Sequence, residues 1–406
     1  GDQSGNIYFK SPKESNFNWR GNINGYSANS ANYPVYCLSA DTSGNLWVGA
    51  DVLGLLKTNT NPKLFSTYPD ENVLQKNEHR LFIHSIYEDD DENLWLGTFQ
   101  EGLIKLNTKS GQTDSIKFPY YNPALPYAKS VPLVKKDRYG NIWTSYSGYV
   151  YIQEKGKTKF IPIKFPVPPA FLQSPQLWSI IEYKTGWLLA TNIGLYLVDK
   201  QNGKYHIRFL DALAGTRIIA VWQAPGGEIW IVPESGGIYI TPDPEDVNNA
   251  KRIFTGENIK AIQYDSSRQL IWISATNGLI AYHLPGKNYR LYTEKDGLLS
   301  SLVYSALPGK ENEIWLSTNI GLSRGKMNYS EQSVFPHLSF NNFTIAEGLP
   351  TNEFNTGAYH NGKSGNIYFG TANGVVWFKP ENLQSDFPPP SVRLTDFLVN
   401  DAQIGR

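Results

Sequence analysis

The feature that most limits what this chain can become is an aromatic β-strand that returns at a spacing of about 45 residues. It reads Gly5-Asn6-Ile7-Tyr8-Phe9, Gly44-Asn45-Leu46-Trp47-Val48-Gly49, Asn93-Leu94-Trp95-Leu96-Gly97-Thr98 and Gly140-Asn141-Ile142-Trp143. The series continues through Trp187, Trp230, Trp272 and Trp315 to Gly365-Asn366-Ile367-Tyr368-Phe369-Gly370-Thr371. Successive aromatic positions lie 39, 48, 48, 44, 43, 42, 43 and 53 residues apart, and seven of the 11 tryptophans fall on them. A repeat of that length is one supersecondary unit that cannot bury its apolar faces alone, so equivalent units must stack.

Each unit has the same internal order. A first strand such as His84-Ser85-Ile86-Tyr87-Glu88-Asp89 runs into a turn rich in Asp, Gly and Asn, residues that tolerate the left-handed backbone of a tight hairpin. The aromatic strand follows, then a short connection with glycine, a third strand and a more variable fourth, such as Tyr289-Arg290-Leu291-Tyr292-Thr293. Four antiparallel strands per unit, arranged around an axis, predict an all-β propeller of four-stranded blades. The tryptophans are expected between blades, where a large apolar ring is useful and the indole N–H still finds an acceptor.

Composition agrees. Aromatic residues make up 14% of the chain, with 25 Tyr, while 35 Gly and 25 Pro punctuate short elements. Basic and acidic residues balance at 37 each, which argues against polyanion binding, nucleic acid included. The one cysteine, Cys37, sits in an apolar stretch and is expected to be a buried, inert thiol. No run reaches the roughly 18 apolar residues that cross a bilayer, which leaves an anchor beyond Arg406 open.

The units resemble the two-component regulator propeller repeat, in which an apolar strand precedes Asp-x-x-Gly-Asn, a Trp strand ending in Gly-Thr, and Gly-Leu. Ile86 to Leu106 matches most of it, and Asp296-Gly297-Leu298 and Glu347-Gly348-Leu349 resemble the segment between blades. The unit around Trp187 lacks the Asp-Gly-Asn turn, and Thr144-Ser145 replaces Gly-Thr after Trp143. Counting from Val35 gives eight units; the resemblance favours a ring of seven, with eight as the alternative. The resemblance also makes 1–34 a partial blade or entry segment, 35–386 the propeller, and 387–406 a linker and first strand of a C-terminal, triple-tyrosine-motif β-sandwich. It implies a periplasmic sensor of a hybrid two-component regulator of the kind found in Bacteroidetes. The ligand class it implies is glycan, the partner a second copy of the full-length protein, and no cofactor is expected.

No catalytic or metal motif is visible. The six histidines have no His-x-x-x-His or Cys-x-x-Cys setting. There is no Gly-x-Ser-x-Gly elbow, and Glu88 to Glu92 lacks the alternation of a calcium loop and reads as a solvated turn. An interaction scaffold remains an alternative, and so does a lyase or hydrolase whose acids and bases come from several blades. Binding is expected on the loops that enter each first strand or join the second and third. The candidates there are Arg80, Phe99, Gln100, Tyr146, Trp178, Asn192, Arg217, Glu234, Asn277, Asn319, Glu353 and Asn373. The four asparagines also suit a purely turn-shaping role before glycine.

Overall fold

The structure, a computed structural model, describes residues 2–9, 18–22, 33–41, 45–59, 64–69, 81–125, 127–167, 175–310, 312–331, 333–383, 398–399 and 402–403. The chain forms two compact units, one of Gly1–Lys63 with Gln384–Arg406, the other of Leu64–Leu383.

The larger unit is a ring of seven four-stranded antiparallel sheets. The first strands of blades one to seven are Ile83–Glu88, Val134–Lys136, Leu177–Tyr183, Ile218–Gln223, Ile259–Asp265, Val303–Pro308 and Phe354–Asn361. Blade seven takes its fourth strand from the other end of the unit: Ser66–Tyr68 pairs with Val375, Val376 and Trp377. The first strands of blades seven and one pack together, so the ring closes through sheet pairing as well as side-chain contact.

Apolar burial is divided among seven clusters, one at each junction between blades. Trp95, Trp143, Trp230, Trp272 and Trp315 lie in these junctions, at most 5% exposed. Each packs between blades, as the sequence predicts, on the side of the following blade, but the indole N–H groups of Trp272 and Trp315 find no acceptor among the described residues. Trp187 differs. It faces back into the junction of blades two and three, while Leu188 faces blade four. Residues of a strand alternate between faces, so Leu188 holds the repeat's aromatic position and Trp187 stands one residue early. Thr191, three residues beyond Leu188, makes the same turn to Gly194 as Thr318, three residues beyond Trp315, makes to Gly321.

The Gly-Thr pair has a physical cause. A β-carbon on Gly97 would stand 2.4 Å from the Val131 carbonyl oxygen of blade two, so only glycine lets the neighbouring strand approach. The threonine hydroxyl then donates to a glycine carbonyl across the next turn: Thr98 to Gly102, Thr191 to Gly194, Thr318 to Gly321, each at 2.8 Å, and Thr371 to Gly374 at 2.9 Å. Between blades, Thr293 and Thr344 cap short 3-10 turns that end on Gly297 and Gly348, and Leu298 and Leu349 follow into the core.

The smaller unit holds one more sheet of the repeat, with three strands, Val35–Ala40, Asn45–Ala50 and Gly54–Asn59. The ring therefore begins at Leu64, not at residue 35, because its outer strand comes from Ser66–Tyr68. Cys37 is exposed, contrary to the sequence expectation. Apolar packing in its sheet gathers around Val48 and Ala50 and leaves the first strand open from Tyr36 to Ala40. Asn6–Phe9 pairs with Asn18–Asn22, and Leu398–Val399 with Ala402–Gln403. The rest of the expected sandwich strand lies outside the described residues.

Candidate functional site

One cavity of about 930 Å³ receives residues from all seven blades of the ring, which places it on the axis where the first strands converge. Part of its lining comes from a repeated irregularity. In blades one, three, four, five and six the first strand slips by one residue against the second, between Ile83 and Ser85, Leu177 and Ser179, Ile218 and Ala220, Ile259 and Ala261, and Val303 and Ser305. The unpaired residue of each bulge is His84, Trp178, Ile219, Lys260 or Tyr304, and all five line the cavity. A bulge inserts one extra residue and re-aims its side chain, here toward the axis. Blade seven slips further, from Phe354 to Tyr359, and contributes Asn355 and Thr356. Blade two has no bulge; Pro132 stands at the matching position, and Ser130 reaches the cavity instead.

The lining is divided by chemistry. Blades one to three supply an aromatic wall: His84 lies 5.2 Å from Phe82, 5.4 Å from Phe99 and 6.2 Å from Trp178, ring centre to ring centre, and Tyr127 lies 5.3 Å from Phe99. Blades four to seven supply charge. Arg217 pairs with Glu234 at 3.0 Å and lays its guanidinium 4.0 Å over the Trp178 ring, joining the two halves. Tyr304 donates to Glu353 at 3.1 Å. Burial, with the Arg217 charge as a second cause, pushes His84 down to about 4, so the imidazole is neutral at physiological pH. The indole N–H of Trp178 and the Nε of Arg217 are buried without a hydrogen-bond partner among the described residues.

Of the residues expected from sequence, Phe99, Trp178, Asn192, Arg217, Glu234 and Glu353 meet in this cavity. Gln100, Tyr146, Asn277, Asn319 and Asn373 do not line it. Tyr146 stacks on Phe118 at 4.7 Å in a separate aromatic group of blade two. Asn319 accepts from Ser300 at 2.7 Å, and the Asn373 backbone N–H donates to Thr371 at 3.1 Å, so both shape turns. Arg80 lies outside the described residues. His84, Ile219, Lys260 and Tyr304 were not among the candidates. Their signal is an aliphatic residue, any residue, then Ser or Ala, ten to twelve residues ahead of the repeat's aromatic position.

Glu88, expected in a solvated turn, is 1% exposed. It accepts from the Tyr368 hydroxyl at 2.6 Å and the Ser364 hydroxyl at 2.6 Å, fastening blade one to blade seven. Among the described residues no group of three or more His, Cys, Asp or Glu is placed to hold a metal ion. No helix among them is long and apolar enough to cross a membrane.

The two component regulator propeller profile matches residues 80–100, which span the first bulge and the Trp95 strand of blade one. A histidine kinase of Formosa agariphila is 28% identical over 111 residues, 27% of this chain and 8% of that protein. A structure described as the extracellular domain of a hybrid two component system of B. thetaiotaomicron superposes with a TM-score of 0.72 at 22% identity, over 96% of this chain and 52% of that one. The virginiamycin B lyase of Staphylococcus aureus superposes with a TM-score of 0.54 at 12% identity, over 74% of this chain and 95% of the lyase. The chain thus spans about half the length of the solved extracellular domain and a small part of the kinase, and these superpositions speak for the fold. Residues 80–100 thus match one copy of the two component regulator propeller repeat, and the ring that holds them is a seven-bladed β-propeller.

Proposed function

We propose that this chain is the ligand-sensing propeller of a hybrid two-component regulator, that it works in the periplasm, and that its axial cavity takes an oligosaccharide without turning it over. The observation that carries this reading is the convergence of seven blades on one cavity that sets an aromatic wall against amide, carboxylate and guanidinium groups. Aromatic faces suit the C–H faces of sugar rings, and the polar groups suit hydroxyls. Signal transfer then requires two states of the full-length protein, most simply of a dimer, that bind the ligand unequally.

Calorimetry of the chain with a panel of oligosaccharides tests this. Saturable heat with unchanged saccharide, lost in Trp178→Ala, supports sensing. Release of shortened or unsaturated products would move the chain to the enzyme reading that its likeness in fold to a lyase keeps open.

A further inference from the structure

The bulges separate two jobs within one three-residue stretch. The residue before each bulge is aliphatic and buried: Ile83, Leu177, Ile218, Ile259 and Val303 are all at most 1% exposed. The residue after it is Ser or Ala. Small size there is needed at the crowded junction, where the Ser85 hydroxyl and a β-carbon on Gly97 would be only 2.2 Å apart. The residue between them is left out of the strand pairing and differs in every blade: an imidazole, an indole, an aliphatic chain, an ammonium and a phenol. Packing fixes the flanks and leaves the middle position to the cavity.

We infer that these extruded residues form the specificity ring of the cavity, and that the saccharide they admit carries an acidic group held by Lys260 and presents an apolar ring face to His84 and Trp178. The inference rests on the saccharide-sensing reading and adds the sign of the ligand. The other charged side chains of the cavity are already engaged, Arg217 with Glu234 and Glu353 with Tyr304. Lys260 is half-buried and has no ion pair or hydrogen bond from its side chain with any described residue. An ammonium without a partner gains a charge-assisted hydrogen bond from an anion brought to it.

The test is titration of the whole chain with matched pairs: galacturonate oligomers against galactose oligomers, and xylo-oligosaccharides with and without glucuronate branches. The expected result is tighter binding of the acidic member of at least one pair by about tenfold or more, equivalent to about 1.4 kcal/mol. Lys260→Gln removes that preference, Lys260→Arg keeps it, and neither shifts the melting temperature. Ile218→Ala, on the flank, lowers the melting temperature instead. Equal binding of acidic and neutral members, or a preference that survives Lys260→Gln, overturns the acidic ligand and leaves saccharide sensing standing. Silence from every saccharide overturns both.

Discussion

The Asp137 carboxylate of blade two accepts from the indole of its own Trp143 at 2.9 Å and from Trp187 of blade three at 3.1 Å. In blade one, Asp89 serves only Trp95 in this way. The hairpin of blade three, Tyr183-Lys184-Thr185-Gly186, has no aspartate, and Trp187 faces the previous blade, where Asp137 supplies the acceptor. Asp137→Ala orphans two buried N–H donors, each costing about 1–3 kcal/mol. We expect a loss of roughly 2–6 kcal/mol in urea denaturation, with Asp137→Asn milder because one acceptor oxygen stays. An effect no larger than that of Asp89→Ala would mean that the shared carboxylate adds nothing.

Ring closure should respond to acid. Burial alone would raise the Glu88 carboxyl, but hydrogen bonds from Ser364 and Tyr368 outweigh it and hold the group below its usual 4.5. A depressed carboxylate contributes stability above the unfolded value and loses it as pH falls through the folded one. Melting temperature should therefore fall below pH 4.5, and Glu88→Gln should lower it at pH 7 while flattening the acid limb. Parallel acid limbs in the two proteins would count against this.

The two histidines His84 and His360 are both pushed down to about 4, chiefly by burial. The unfolded chain takes up their protons near 6.5 and the folded one does not, so their contribution is complete above 6.5 and erodes as pH falls toward 4. NMR titration should find both rings neutral at pH 5.5. A midpoint above 6 for either would contradict the burial argument.

Phe65 precedes the strand that completes blade seven, is 1% exposed, and meets Phe343 and Phe378 edge-on at 5.7 and 5.4 Å. Phe65→Ala should cost about 3–5 kcal/mol, the usual range for a buried phenylalanine. Proteolysis near Leu64 should speed up in parallel; unchanged cleavage would show that the closing strand holds without its anchor.

Gly97→Ala is expected to cost about 1–3 kcal/mol through overpacking against Val131 and Ser85. Gly256→Ala, whose β-carbon meets nothing within 4 Å, serves as the control. Similar denaturation midpoints for the two would refute the close-approach account of the Gly-Thr pair.

Much of this molecule was readable from its residues, and what escaped has a physical reason. The aromatic strand and its flanking turns announce themselves because junction packing and hairpin geometry admit few residue types. Trp187 misled because spacing shows a tryptophan but not its face, and one residue of slip exchanges the faces. Glu88 looked like part of an acidic turn because its partners, Ser364 and Tyr368, stand at the far end of the ring's sequence. Half of the cavity candidates converged because loop position is legible. His84, Lys260 and Tyr304 escaped because a bulge is a property of two paired strands, and alternation within one strand does not reveal it.

The one-residue slip in five of the inner strands gives this ring an unusual freedom. A side chain that takes no part in the ladder, between neighbours that do, can be exchanged without asking the rest of the sheet to adjust. Each of these five blades then behaves like a socket holding one interchangeable tooth, and a new set of teeth amounts to a new lock cut into an unchanged barrel.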